Sequence, residues 1–162
     1  MPSSMPSATE RSSSMPTFEL TPQIMREIIM DHYSNPRHKG VPTGEGYKKV
    51  HTDSVNCIDD FDVYVKEEGG KIVDARWEGV ACTISTASTD ILCDRVIGMD
   101  ASEAHNLVEQ FMAMIEEKPY DGEVLDEALA FKNTGKQAAR IHCATMGWTA
   151  LDELIGGKKS ND

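Results

Sequence analysis

The spacing of apolar residues changes period along this chain, and the changes divide it into elements. Ile24, Met25, Ile28, Ile29 and Tyr33 recur at helical intervals. Thr21 is placed to cap that helix, Pro22 suits its first position, and Asn35-Pro36 stops it. Val41 to Gly46, rich in Pro and Gly, reads as a loop, and Tyr47 to Val55 looks extended. From Asp60 to Lys66 the period is two, with Phe61, Val63 and Val65 on one face and Asp60, Asp62 and Lys66 on the other. Glu67-Glu68-Gly69-Gly70 reads as a turn, after which Lys71 to Trp77 alternates with Val73, Ala75 and Trp77 on one face.

The helical period then returns. Ile84, Ala87, Ile91 and Val96 predict a helix from Ile84 to Met99. Asp100 is an N-cap with Glu103 closing a capping box, which starts a helix that runs to Glu117 and ends before Pro119. A short helix is expected over Val124–Ala130, and a last one from Thr134 to Leu154, ended by Gly156-Gly157. Three half-buried strands need a cover, and these helices can supply it. The pattern predicts an α+β fold, a three-stranded antiparallel sheet covered by helices. Residues 1–17, with repeated Ser and Pro, read as a disordered tail; 18–157 form one domain; 158–162 are a C-terminal tail.

Composition narrows the function classes. A chain of 162 residues, 40% hydrophobic, is long enough for one real core. A net charge of −11 argues against nucleic-acid binding and is compatible with a protein partner that has a basic face. No apolar run is long enough for a transmembrane helix, and the N-terminus has no apolar signal core, so a reducing cytoplasm is the expected compartment. There, cysteines serve as metal ligands, reactive thiols or core residues more often than as disulfides.

Cys82 sits where the strand ending in Trp77 passes into the next helix. The unpaired N–H groups and the dipole of a helix start favour the thiolate. Cys57 lies 25 residues before it and Cys143 61 after it. Cys57-Ile58-Asp59 falls at a bend between strands, where residues i and i+2 can face one centre. The expectation is that Cys57, Asp59, Cys82 and Cys143 meet as one metal site. Three thiolates and a carboxylate make a tetrahedral shell for Zn²⁺, and the same soft ligands suit an iron–sulfur cluster. Without a Cys-x-x-Cys pair the spacing is a weak signal, and scattered buried cysteines are the alternative. Cys93, inside a helix, reads as a core residue. His32 and His38 are ligand-capable, but a histidine near a helix end more often caps or hydrogen-bonds. His142 is a ligand, a proton carrier or a surface residue. Arg140, one turn before Cys143, either stabilises a thiolate or pairs at the surface.

A resemblance sharpens this. Trp77-Glu78-Gly79-Val80-Ala81-Cys82-Thr83-Ile84-Ser85-Thr86-Ala87-Ser88 resembles the signature of the U-type iron–sulfur cluster assembly proteins: IscU, SufU and the NifU N-terminal domain. Asp31-His32-Tyr33-Ser34-Asn35-Pro36-Arg37 resembles the end of that family's first helix. Arg140-Ile141-His142-Cys143-Ala144-Thr145-Met146-Gly147-Trp148 resembles the third-cysteine motif of the SufU branch, as does the long Cys82–Cys143 separation. The likeness runs from Leu20 to Ile155 and implies the SufE/NifU-like fold. It also implies a zinc held by Cys57, Asp59, Cys82 and Cys143, with Cys57 as sulfur acceptor and Arg140 matching a family arginine near the transfer step. The implied activity is zinc-dependent sulfurtransfer from the persulfide of a SufS-type cysteine desulfurase, with downstream iron–sulfur assembly proteins as the further implied partners. The second reading is a scaffold that builds and passes on a [2Fe–2S] cluster. A third keeps a structural zinc without transfer.

The chain departs from the family pattern in two places. The first motif reads Ser54-Val55-Asn56-Cys57-Ile58-Asp59, with Val55 where the family has Pro and Ile58 where it has Gly. Ile is strained at positive φ, so this loop is expected to take another conformation or move less. At position 142 a histidine, as in IscU proteins, stands where SufU proteins usually carry lysine.

Overall fold

The computed structural model describes residues 20–55 and 58–156. The expected tails, and Cys57 with its neighbour Asn56, lie outside the described residues. Helix α1 (Pro22–Ser34) starts at Thr21, whose hydroxyl accepts the Ile24 N–H, with Pro22 in its first turn. Three strands follow, β1 (Tyr47–Asp53), β2 (Asp60–Glu68) and β3 (Lys71–Val80), paired antiparallel in that order. The β2–β3 turn is Gly69-Gly70, both at positive φ. Helices α2 (Thr83–Val96) and α3 (Ala101–Ile115) come next. The chain then makes a single turn, α4 (Gly122–Leu125), two short 3₁₀ segments, Asp126–Phe131 and Thr134–Lys136, and the long α5 (Ala138–Leu154). The predicted α+β class and strand order are those observed. Among the described residues, no helix is long and apolar enough to cross a membrane.

Three local expectations are corrected. Val73 does not face the core: it is exposed, and Ile72 is buried instead. Lys66 pairs with Asp74 and Glu67 with Ile72, so Val73 is the extra residue of a β-bulge, and the alternation slips by one there. Tyr33 is exposed, because the inward stripe of α1 is Met25 and His32 flanked by the half-buried Ile28 and Ile29. The last helix begins at Ala138 rather than Thr134. Gly135 packs so closely on the Ile115 carbonyl that the chain turns there in 3₁₀ form.

The core lies between one face of the sheet and the helices. Phe61, Val63, Val65, Ile72, Ala75 and Trp77 face Ala87, Ile91 and Leu92 of α2, while Phe111 of α3 stacks on Trp148 of α5, with ring centroids 3.8 Å apart. The outer edge of β3 is not left bare: the Trp77 N–H donates to the His38 carbonyl, and the Gly40 N–H donates to the Trp77 carbonyl. Cys93 is fully buried, as expected of a core residue, and burial pushes its thiol well above the usual range.

Helix α2 is buried on nearly every side, from Ser85 through Cys93. Its small side chains let α5 approach closely, and its polar groups must find partners inside the protein. Ser88 donates to the Ala144 carbonyl at 2.6 Å and accepts from Trp148 Nε1 at 2.8 Å. At Gly147 a Cβ would fall directly on Thr89 Oγ1, and Thr89 is buried and β-branched, with little freedom to turn aside. Gly147→Ala is therefore expected to destabilise the protein by about 2 kcal/mol through overpacking, read as a lower urea midpoint. A midpoint equal to wild type would mean that the helices part freely.

Candidate metal centre

The sheet register builds the site. Asp60 pairs with Val80, so Asp59, just ahead of β2, lies beside the corner where β3 passes into α2. At that corner Gly79 has a φ of 143°, and a Cβ there would strike the Asp60 and Phe61 backbone. The glycine lets the two strands close up next to the site. Cys82 is the N-cap of α2, with extended backbone, and its sulfur accepts the Ser85 N–H at 3.5 Å. The close crossing of α5 over α2 brings Cys143 to the same corner, where its carbonyl lies 2.9 Å from Ser85 Oγ.

Asp59, Cys82 and Cys143 come together: one ligand atom from each lies within 4.8 Å of the others. Asp59 is almost fully buried and both cysteines are partly buried. Asp59 Oδ1 accepts the Cys82 N–H at 2.7 Å, and Asp59 Oδ2 accepts from Ser85 Oγ at 2.9 Å. Burial pushes the Cys143 thiol up to about 12, aided by the neighbouring Cys82 and Asp59 side chains. Three acidic donors in a half-buried corner repel one another as they ionise, and a divalent cation among them reverses that penalty. Two sulfurs and a carboxylate at this spacing fit zinc, which takes four such ligands. Cys57, the fourth expected ligand, lies outside the described residues.

The remaining candidates sit apart from this group. His142 is exposed on α5 and lines a shallow groove with His51 and Thr52 of β1, and no described histidine joins the three donors. Arg140 is exposed in the first turn of α5. Ile58 is exposed, as are Val55 and Val80 near the same end of the sheet. His32 and His38 are hydrogen-bonding residues rather than members of the group. His32 Nδ1 bonds Asp90 Oδ2 at 2.8 Å and Nε2 bonds Glu127 at 2.9 Å, while His38 pairs with Asp94.

Two residues of consequence escaped the reading of the sequence. Ser85 touches every part of the centre. Its only signal is its place three residues after the N-cap, where helix-start side chains turn back toward the cap. Asp90, fully buried in α2, accepts from His32, the Arg37 and His38 N–H groups and Trp77 Nε1. No local pattern announces it, since its donors come from α1, the following loop and β3.

Comparison with known proteins decides the family. Residues 24–157 match the NifU-like N-terminal domain. The chain belongs to that family. It is 35% identical over 140 residues to the zinc-dependent sulfurtransferase SufU of Bacillus subtilis, covering 86% of this chain and 94% of that protein. It is 36% identical over 130 residues to the iron–sulfur cluster assembly scaffold protein IscU of Streptococcus pyogenes, covering 79% of this chain and 80% of that one. Its fold superposes with a TM-score of 0.71 on a protein from Fervidobacterium islandicum assigned as an iron–sulfur cluster assembly scaffold for the SUF system. That pair is 27% identical, with 78% of this chain and 93% of the other covered. This NifU-like N-terminal domain therefore carries its Asp–Cys–Cys corner on the family's own fold.

Proposed function

We propose that this NifU-like domain is a zinc-dependent sulfurtransferase that accepts persulfide sulfur from a SufS-type cysteine desulfurase for iron–sulfur cluster assembly in the cytoplasm. The observation that carries the reading is the convergence of Asp59, Cys82 and Cys143 within 4.8 Å. Its likeness along most of its length to a zinc-dependent sulfurtransferase supports it. In this reading Cys57, Asp59, Cys82 and Cys143 hold the metal. Bound zinc would keep the thiols deprotonated at neutral pH and add no redox activity of its own.

The chain's own residues then do the following. The Cys57 thiolate attacks the terminal sulfur of the desulfurase persulfide. A new S–S bond forms on Cys57, the S–S bond to the desulfurase cysteine breaks, and that cysteine leaves as a thiolate; the persulfide proton stays with the transferred sulfur. Asp59 and Cys82 are held by hydrogen bonds from the α2 N-terminus, so that end of the site is preorganised. Arg140, exposed in the first turn of α5 one turn before Cys143, supplies a positive charge that favours the thiolates formed in the transfer.

The likeness to IscU scaffolds favours a second reading, in which the same residues hold a [2Fe–2S] cluster under construction. Metal content separates the two. Untagged protein purified without chelator and without air is expected to be colourless with about one zinc per chain. Brown protein with iron and acid-labile sulfide would establish the scaffold instead. Protein without bound metal would overturn both.

A further inference from the structure

Ser85 is fully buried, and its hydroxyl faces two acceptors at the same distance. Asp59 Oδ2 lies 2.9 Å away and so does the Cys143 carbonyl. A serine hydroxyl carries one proton, so it serves one acceptor at a time. Cys82 Sγ is 3.5 Å from the same oxygen. The other Asp59 oxygen is already taken by the Cys82 N–H at 2.7 Å. Only Oδ2 therefore depends on Ser85.

We propose that Ser85 is the positioning residue of the metal centre: its hydroxyl holds Asp59 Oδ2 while the carboxylate is off the metal and turns to the Cys143 carbonyl when Oδ2 becomes a ligand. The exchange leaves no buried hydroxyl unpaired in either state. With the metal absent or Asp59 released, the proton goes to the carboxylate. With Asp59 engaged, the cation satisfies Oδ2 and the proton goes to the carbonyl. A buried polar group left without a partner is costly, and this rotation removes that cost from the step in which Asp59 joins or leaves the metal. The same motion links Asp59 to the backbone of Cys143, so two of the ligands are set by one side chain. The inference rests on the metal-centre reading but not on the choice between zinc and an iron–sulfur cluster.

The test is zinc competition against a chromophoric chelator, with the cobalt(II) absorption spectrum as a second readout, on full-length wild type, Ser85→Ala, Asp59→Ala and the double variant. Ser85→Ala is expected to bind zinc about 3- to 10-fold more tightly, and cobalt likewise, because it loses the charge-assisted bond of the metal-free state and only the weaker carbonyl bond of the loaded one. Asp59→Ala with Ser85→Ala is expected to match Asp59→Ala alone within about twofold, because Ser85 acts through Asp59. Wild-type or weaker affinity in Ser85→Ala would overturn the proposal, as would a double variant that differs from Asp59→Ala by the full Ser85→Ala factor. Should Ser85→Ala fail to fold, Ser85→Gly, which also removes the hydroxyl, takes its place: tighter zinc binding supports the proposal and wild-type or weaker binding overturns it. Wild type that binds neither zinc nor cobalt removes the metal centre itself, which is a different result from a silent Ser85.

Discussion

Cys57→Ala is expected to lose stimulation of the cognate desulfurase by at least ~100-fold while zinc stays bound, and Cys82→Ala to lose both. The two thiols differ in what surrounds them. Cys82 is fixed: its N–H is held by Asp59, its sulfur caps α2 through the Ser85 N–H, and its sulfur lies within 4.8 Å of the ligand atoms of Asp59 and Cys143. Removing it takes a ligand from the donor set and a cap worth about 1 kcal/mol from the central helix. Cys57, Asp59 and Cys143 remain as candidate ligands, but the donor held in place by the α2 N-terminus is lost, and with it tight zinc binding. Cys57 falls between β1 and β2 in the sequence and lies outside the described residues. Its loss leaves three converging donors in place but removes the nucleophile. Sulfide or alanine release by the desulfurase, measured beside zinc content, reads both effects. Full stimulation by Cys57→Ala would end the transfer reading and leave a metal-binding protein of another role.

The second large effect concerns stability. Asp90→Ala is expected to cost 3 kcal/mol or more, of the order found when one partner of a buried ion pair is removed. Asp90 has no exposed surface and receives four donors, among them the buried His32. Alanine would strand His32, two backbone N–H groups and the Trp77 indole in the interior. Loss of that order is a large share of the ~5–15 kcal/mol that holds a domain folded. Urea unfolding with a midpoint near wild type would show that water or a rearranged α1 replaces the carboxylate.

The same cluster sets a pH profile. Burial opposes a charge on His32, but its hydrogen bonds to the Asp90 and Glu127 carboxylates outweigh it and raise its pKa above the usual value. Burial likewise opposes ionised Asp90, and His32, the two backbone N–H groups and Trp77 outweigh it and lower its pKa. A raised histidine contributes stability that is complete below the unfolded histidine pKa, near ~6.5, and is lost as pH rises through the folded value. A lowered aspartate contributes stability present above the unfolded value, near ~3.9, and lost as pH falls through the folded one. This pair thus gives most between about pH 4 and 6.5, with a decline on the alkaline side. His32→Gln is expected to lower the unfolding midpoint and flatten that alkaline decline relative to wild type. An unchanged slope would assign the decline to His51 and His105, which are raised as well.

What the sequence determined by itself was the set of elements and much of the chemistry. Period-two alternation in Asp60–Lys66 and helical spacing in Ile84–Val96 are local properties, fixed by which side chains must leave water. The Asp100–Glu103 capping box is equally local and stands as read. The motif around Cys82 and the resemblance it carries pointed to Asp59 and Cys143 as its neighbours. Tertiary structure decided what depends on elements distant in the chain. The bulge at Val73 follows from strand pairing, the late start of α5 from the packing of Gly135 on Ile115, and the outward turn of Tyr33 from the position of Asp90 beneath His32. Asp90 owes its role to partners on three other segments and Ser85 to partners on two, and no stretch of sequence contains those contacts. The reason is physical: apolar burial follows the local period of a strand or helix, whereas a buried polar group is placed by whichever distant donors and acceptors can satisfy it.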